Sequence, residues 1–170
     1  GITAIGLAAL YGRPSALGSF FRANRELVAA RDGMGRTAMH WAVLSRHPMT
    51  VKYLIGCWEA EIDAADLLGD TPAHLCEGPL DLLGTLYHGG PAPPNLTIRN
   101  AAKRTPAEAV ARAGHPLISR SMEEVERGDA GCWLNQEPRV NARIISFMLR
   151  SPTRVAPART RLASWWEMLG

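Results

Sequence analysis

GRTAMHWAV, residues 35–43, decides how this chain is read, because it is not the only stretch of its kind. Thirty-four residues later comes GDTPAHLCE (69–77), and 34 later again KRTPAEAVA (103–111); one step back gives GITAIGLAA (1–9). The threonines Thr3, Thr37, Thr71 and Thr105 keep this spacing without drift. Prolines share the comb at Pro14, Pro48 and Pro116, and the missing tooth at Leu82 has Pro79 nearby. A fixed period of 20 to 50 residues in which several residue types stay in phase marks a solenoid.

The punctuation of one period predicts its shape. Thr37 stands before the first periodic apolar residues as an N-cap. Pro72 and Pro106 follow their threonines at the first helical position, where no N–H is needed. A helix of about two turns over Ala38–Leu44 is expected to end at the RHP turn (46–48), and the proline opens a second helix. There Val51, Leu54 and Ile55 form one apolar stripe, as do Ile118, Met122 and Val125 in the last period. Asp32, Asp66 and Asn100 mark the returning loops. Two short helices cannot bury their apolar faces alone, so the units must stack.

Residues 32–55, DGMGRTAMHWAVLSRHPMTVKYLI, resemble an ankyrin repeat, whose pattern is D-x-x-G-x-T-P-L-H-x-A-A-x-x-G-H followed by an apolar helix. Asp32, Gly35, Thr37, Met39, His40, Ala42 and His47 carry the resemblance. Asp66, Gly69, Thr71, Pro72 and His74 follow in the next unit, and Asn100, Thr105, Pro106, Gly114 and His115 in the last. The sequence departs from the pattern in two places. Glu108 replaces the repeat histidine, and the second helix of the third unit looks shortened to about residues 80–87 before the stiff loop HGGPAPPN (88–95). The fold expected is an all-α ankyrin-repeat solenoid of about four helix-turn-helix units. It covers residues 1–128, with units near 1–31, 32–65, 66–99 and 100–128, and a basic helical C-terminal extension follows over 129–170. The resemblance makes His40 and His74 structural, tying neighbouring turns together by hydrogen bonds.

Composition fits a globular chain, with 46% apolar residues and a net charge of +3. No run approaches the roughly 18 apolar residues of a membrane span. Cys57, Cys76 and Cys132 are odd in number and lack metal spacing, so unpaired thiols in an intracellular, reducing compartment are expected. Cys76 lies two residues from His74, but inside a repeat helix, and is not read as a ligand. No phosphate loop, nucleophile–base pair or carboxylate pair stands out, so no catalytic residue, metal or cofactor is expected. The chain starts within a unit and without methionine, which suggests a longer parent.

The basic character sits in the tail. From Gly131 onward six arginines face Glu137 and Glu167, whereas the first 130 residues are close to neutral. Leu162, Trp165, Trp166 and Leu169 fall at i, i+3, i+4, i+7, an amphipathic stripe. Three readings of it stand open: a cap on the last repeat, an anchor docking on a partner protein, and a helix at a membrane surface. The arginines alone, without a nucleic-acid-binding motif, do not argue for nucleic acid.

The resemblance implies that partners dock on the concave side, made of the hairpin tips and first helices. Transferred residue by residue, that surface holds Tyr11, Met34, Arg36, Leu44, Leu67, Leu68, Asp70 and Arg104, with Trp165 and Trp166 as further anchors. Met34, Leu67 and Leu68 put apolar side chains on tips that are normally solvated. The expected function is a non-catalytic protein-interaction scaffold or accessory subunit of a larger assembly. The alternative is the recruiting segment of a larger enzyme, such as an ankyrin-bearing palmitoyltransferase.

Overall fold

The computed structural model describes residues 1–128, and the tail with Trp165 and Trp166 lies outside the described residues. Four helical pairs follow one another: α1 (Ala4–Leu10) with α2 (Pro14–Ala23), α3 (Ala38–Leu44) with α4 (Pro48–Trp58), a 3₁₀ turn (Pro72–Leu75) with α5 (Leu80–His88), and α6 (Pro106–Arg112) with α7 (Pro116–Glu126). A second 3₁₀ turn, Arg25–Ala29, leads out of α2. No strand occurs among the described residues.

The first helix of each pair packs on the next to make an inner layer, α1 to α3 to the 3₁₀ turn to α6. The outer layer runs α2 to α4 to α5, while α7 packs chiefly on α6. Between the layers lies one core, whose largest fully buried side chains include Phe21, Leu17, Met39, Leu54, Leu82 and Met122. The stripes of Val51, Leu54, Ile55 and of Ile118, Met122, Val125 point into it.

The third unit departs from the sequence reading. Its second helix is short as expected, nine residues from Leu80 to His88 against eleven in α4 and α7, but the first helix is cut as well, to a four-residue 3₁₀ turn. Pro79 sits three positions before the comb, so the inner segment has lost one turn and the following loop is longer by as much. The threonine register survives at Thr105. Gly89 and Gly90 let that loop lie on Ile55, whose side chain is 3.0 Å from where either Cβ would stand.

Cys76 is fully buried beside this turn, and burial pushes its thiol up to about 12. A thiol held protonated is a poor nucleophile. Cys57 is exposed at the surface of α4. In the native chain at pH 8, iodoacetamide followed by peptide mass spectrometry should modify Cys57 and leave Cys76 intact until denaturant is added.

Candidate functional site

The candidate surface is the row of loop tips that precede the inner helices. Each tip is built around the Asp or Asn of the repeat. The Asp32 carboxylate accepts from the Met34 N–H at 2.8 Å, the Arg36 N–H at 2.9 Å and the Trp41 indole N–H at 2.9 Å. Burial alone raises the Asp32 pKa, but these bonds outweigh it and hold the carboxyl below its ordinary value. Asp66 accepts from the Leu68 and Asp70 N–H groups at 2.8 and 3.0 Å, and Asn100 Oδ1 accepts from the Arg104 N–H at 3.0 Å. Gly35 and Gly69 have positive φ, and a Cβ there would sit 3.0 Å from a backbone nitrogen of the next tip.

Successive tips are linked backbone to backbone. The Leu67 N–H donates to the Met34 carbonyl at 3.0 Å, and the Ala101 N–H to the Leu68 carbonyl at 2.8 Å. Side chains add further links. Arg36 Nε donates to Asp66 at 3.3 Å, and Asn100 Nδ2 donates to Asp70 at 2.7 Å. Arg31 reaches both the Gly35 carbonyl at 2.9 Å and the Ala65 carbonyl at 2.6 Å.

The histidines bridge the units. The Thr37 N–H donates to His40 Nδ1 at 3.1 Å, and His40 Nε2 lies 3.0 Å from the Asp70 carbonyl. An amide only donates and a carbonyl only accepts, so the ring is the neutral Nε2–H tautomer. His74 repeats this between Thr71 and the Arg104 carbonyl, at 3.1 and 3.0 Å. Both rings are buried. Glu108 accepts from the Thr105 N–H at 3.0 Å but, as a carboxylate, has no proton to give a later carbonyl. Among the described residues the histidine bridges therefore end at His74. In the first unit Gly6 holds this position, with Trp41 packed against it.

Burial lowers the His40 pKa; the Asp70 carbonyl and Asp66 oppose the shift, and Arg36 and Arg31 add to it. The unfolded histidine therefore takes up a proton before the folded one does. Stability from this group is full above the ordinary value of 6.5 and declines as pH falls below it, by at most about 1.4 kcal/mol per pH unit. Urea midpoints measured from pH 8 to pH 5 should fall below pH 6.5, and a flat profile would contradict this.

The family comparison agrees with the geometry. Residues 34–67 match the ankyrin repeat model. The chain carries an ankyrin repeat. Ankyrin repeats mediate protein–protein interaction and are typically non-catalytic. The matched stretch runs from one tip, Met34, to the next, Leu67, and so contains one whole unit of the stack.

The side chains expected at an ankyrin binding surface divide into three groups. Tyr11, Met34, Leu67 and Leu68 are exposed, at 65%, 45%, 73% and 50%. Leu44 and Arg104 are half-buried. Arg36 and Asp70 are engaged internally, and Arg36 also lies over the Trp41 ring, 5.4 Å from its centroid. Sequence reading missed Arg31, although Arg99 stands two periods later with the same bond, to the Lys103 carbonyl. It also missed the bond from His47 Nε2 to the Leu10 carbonyl, 3.0 Å, made across Gly12. Among the described residues no three metal-binding side chains gather, and no helix is long and apolar enough to cross a membrane.

Proposed function

We propose that this chain is a non-catalytic scaffold or accessory subunit that holds another protein on its tips and inner helices. The observation that supports this most directly is the row of exposed apolar side chains, Ile2, Met34, Leu67 and Leu68, on consecutive tips. The tips of Met34 and of Leu67 and Leu68 are each held by an Asp turn and by the neighbouring tip's backbone, so these anchors are fixed in place before any partner arrives. Preorganised apolar anchors bind at low ordering cost. The unpaired thiols support an intracellular, reducing setting for this partnership.

Quantitative affinity capture tests the proposal, comparing the native chain with one carrying Met34→Asp, Leu67→Asp and Leu68→Asp. Because these side chains are exposed, circular dichroism and melting should stay the same. Specific co-purifying proteins should fall by tenfold or more, the scale of losing hot-spot anchors. Retention of the same proteins by the variant overturns the proposal.

A further inference from the structure

The tip row has a charge pattern as well as an apolar one. The carboxylates of the tips and inner helices are already used: Asp32 by Met34, Arg36 and Trp41, Asp66 by Arg36, Asp70 by Asn100, and Glu108 by Arg99 at 3.2 Å. Arg36 and Arg99 are used in the same pairs, but three cations of the fourth unit are not. Lys103 and Arg112 are exposed and Arg104 is half-buried, and none of their side chains forms a hydrogen bond or ion pair among the described residues. Residues 99–112 hold four cations, Arg99, Lys103, Arg104 and Arg112, against Glu108 alone. The apolar ridge thus runs from Ile2 through Met34, Leu67 and Leu68 to exposed Ala101 and Ala102, and ends in positive charge on the fourth unit.

We infer that this ridge takes an amphipathic helix of a partner protein, apolar along one stripe and carboxylate-bearing at the end that lies over the fourth unit. The inference rests on the scaffold reading and names the partner's chemistry. Packed helical units stand about 8–10 Å apart. Two turns of a helix advance about 11 Å. Side chains seven residues apart on such a helix therefore meet successive tips, and its acidic end meets Lys103 and Arg112.

Panning the full chain against a displayed library of random peptides, long enough to span the tips, tests this. Recovered sequences should share apolar residues at seven-residue spacing with Asp or Glu gathered at one end. Leu67→Asp should weaken the recovered peptides at least about tenfold, a hot-spot loss. Lys103→Glu with Arg112→Glu should weaken them in a salt-dependent manner, and Lys in place of the peptide's acids should restore binding. Peptides that need Leu67 but are basic or aperiodic overturn the inference and leave the scaffold reading standing. Peptides indifferent to Leu67→Asp, or no enrichment, overturn both. Displacement by a single-stranded oligonucleotide, or a concentration-dependent dimer abolished by Leu67→Asp, assigns the ridge to another occupant and overturns the inference.

Discussion

Replacing His40 with alanine will lower the stability of the folded chain by about 3–5 kcal/mol, enough to unfold a marginal domain. The ring is fully buried and bonded at both nitrogens, to the Thr37 N–H and to the Asp70 carbonyl. Truncation strands a buried donor and a part-buried acceptor, each costing about 1–3 kcal/mol, and leaves a void besides. Urea denaturation followed by circular dichroism reads the loss directly. Two further variants separate the causes. Gln in place of His40 offers an oxygen to Thr37 and an N–H to Asp70, and should recover part of the loss. Glu in its place copies Glu108: it can keep the local cap, but it loses the bridge and buries a charge, so it should fare no better than alanine. If all three variants melt alike, the bridge is not what His40 contributes.

The second large effect concerns Arg36 and Asp66. The Asp66 side chain is fully buried and Arg36 is 19% exposed, with 3.3 Å between Nε and Oδ2. One unit on, the same two places are held by Asp70 and Asn100, with the polarity reversed: the residue of the earlier unit accepts and that of the later unit donates. Asp66→Asn alone keeps the turn, as Asn100 does, but sets an amide N–H against the Arg36 N–H. It should cost about 2–3 kcal/mol. Arg36→Asp alone faces carboxylate with carboxylate and should cost at least as much. The double variant recreates the Asp70–Asn100 pair and should recover about 1–3 kcal/mol as coupling energy. Recovery will be incomplete, because the contact between Arg36 and the Trp41 ring is lost as well. A full cycle of urea midpoints checks this, and strict additivity would show that the pair does not interact.

Most of the scaffold was legible because its signals are local. Thr37, Thr71 and Thr105 announce the inner segments, and Pro48 and Pro116 open α4 and α7 at their first residues. In the third unit the short second helix was legible and the loss in the first was not, because an early proline marks only where the second helix opens. Pro79 arriving early shortened the inner segment to one turn, and α5 is itself two residues shorter than α4 and α7. The turn at Arg25–Ala29 has no periodicity to announce it. The surface was legible only in part. Met34, Leu67 and Leu68 stand out in the sequence as apolar residues among turn formers. Arg36 and Asp70 read as outward-facing, yet each is bonded to a residue 30 positions on. A 34-residue comb compares equivalent places and so hides a contact between unlike ones.

The short inner turn of the third unit has a mechanical meaning. In a linear array each unit is held by its neighbours alone, so the stack opens first at its thinnest joint. The fourth unit is fastened on its inner side, by α6 against that turn, the His74 bridge and the tip bonds of Ala101 and Asn100, while a notch of about 330 Å³ separates the starts of α5 and α7, between Gly78–Leu80 and Gly114–Ile118. A partner lying from Leu67 to Arg112 crosses this seam like a staple. Its binding then adds to the stability of the fourth unit by mass action. Occupancy of the surface and closure of the joint become one equilibrium, and a strained or missing partner is felt first as a loosened seam.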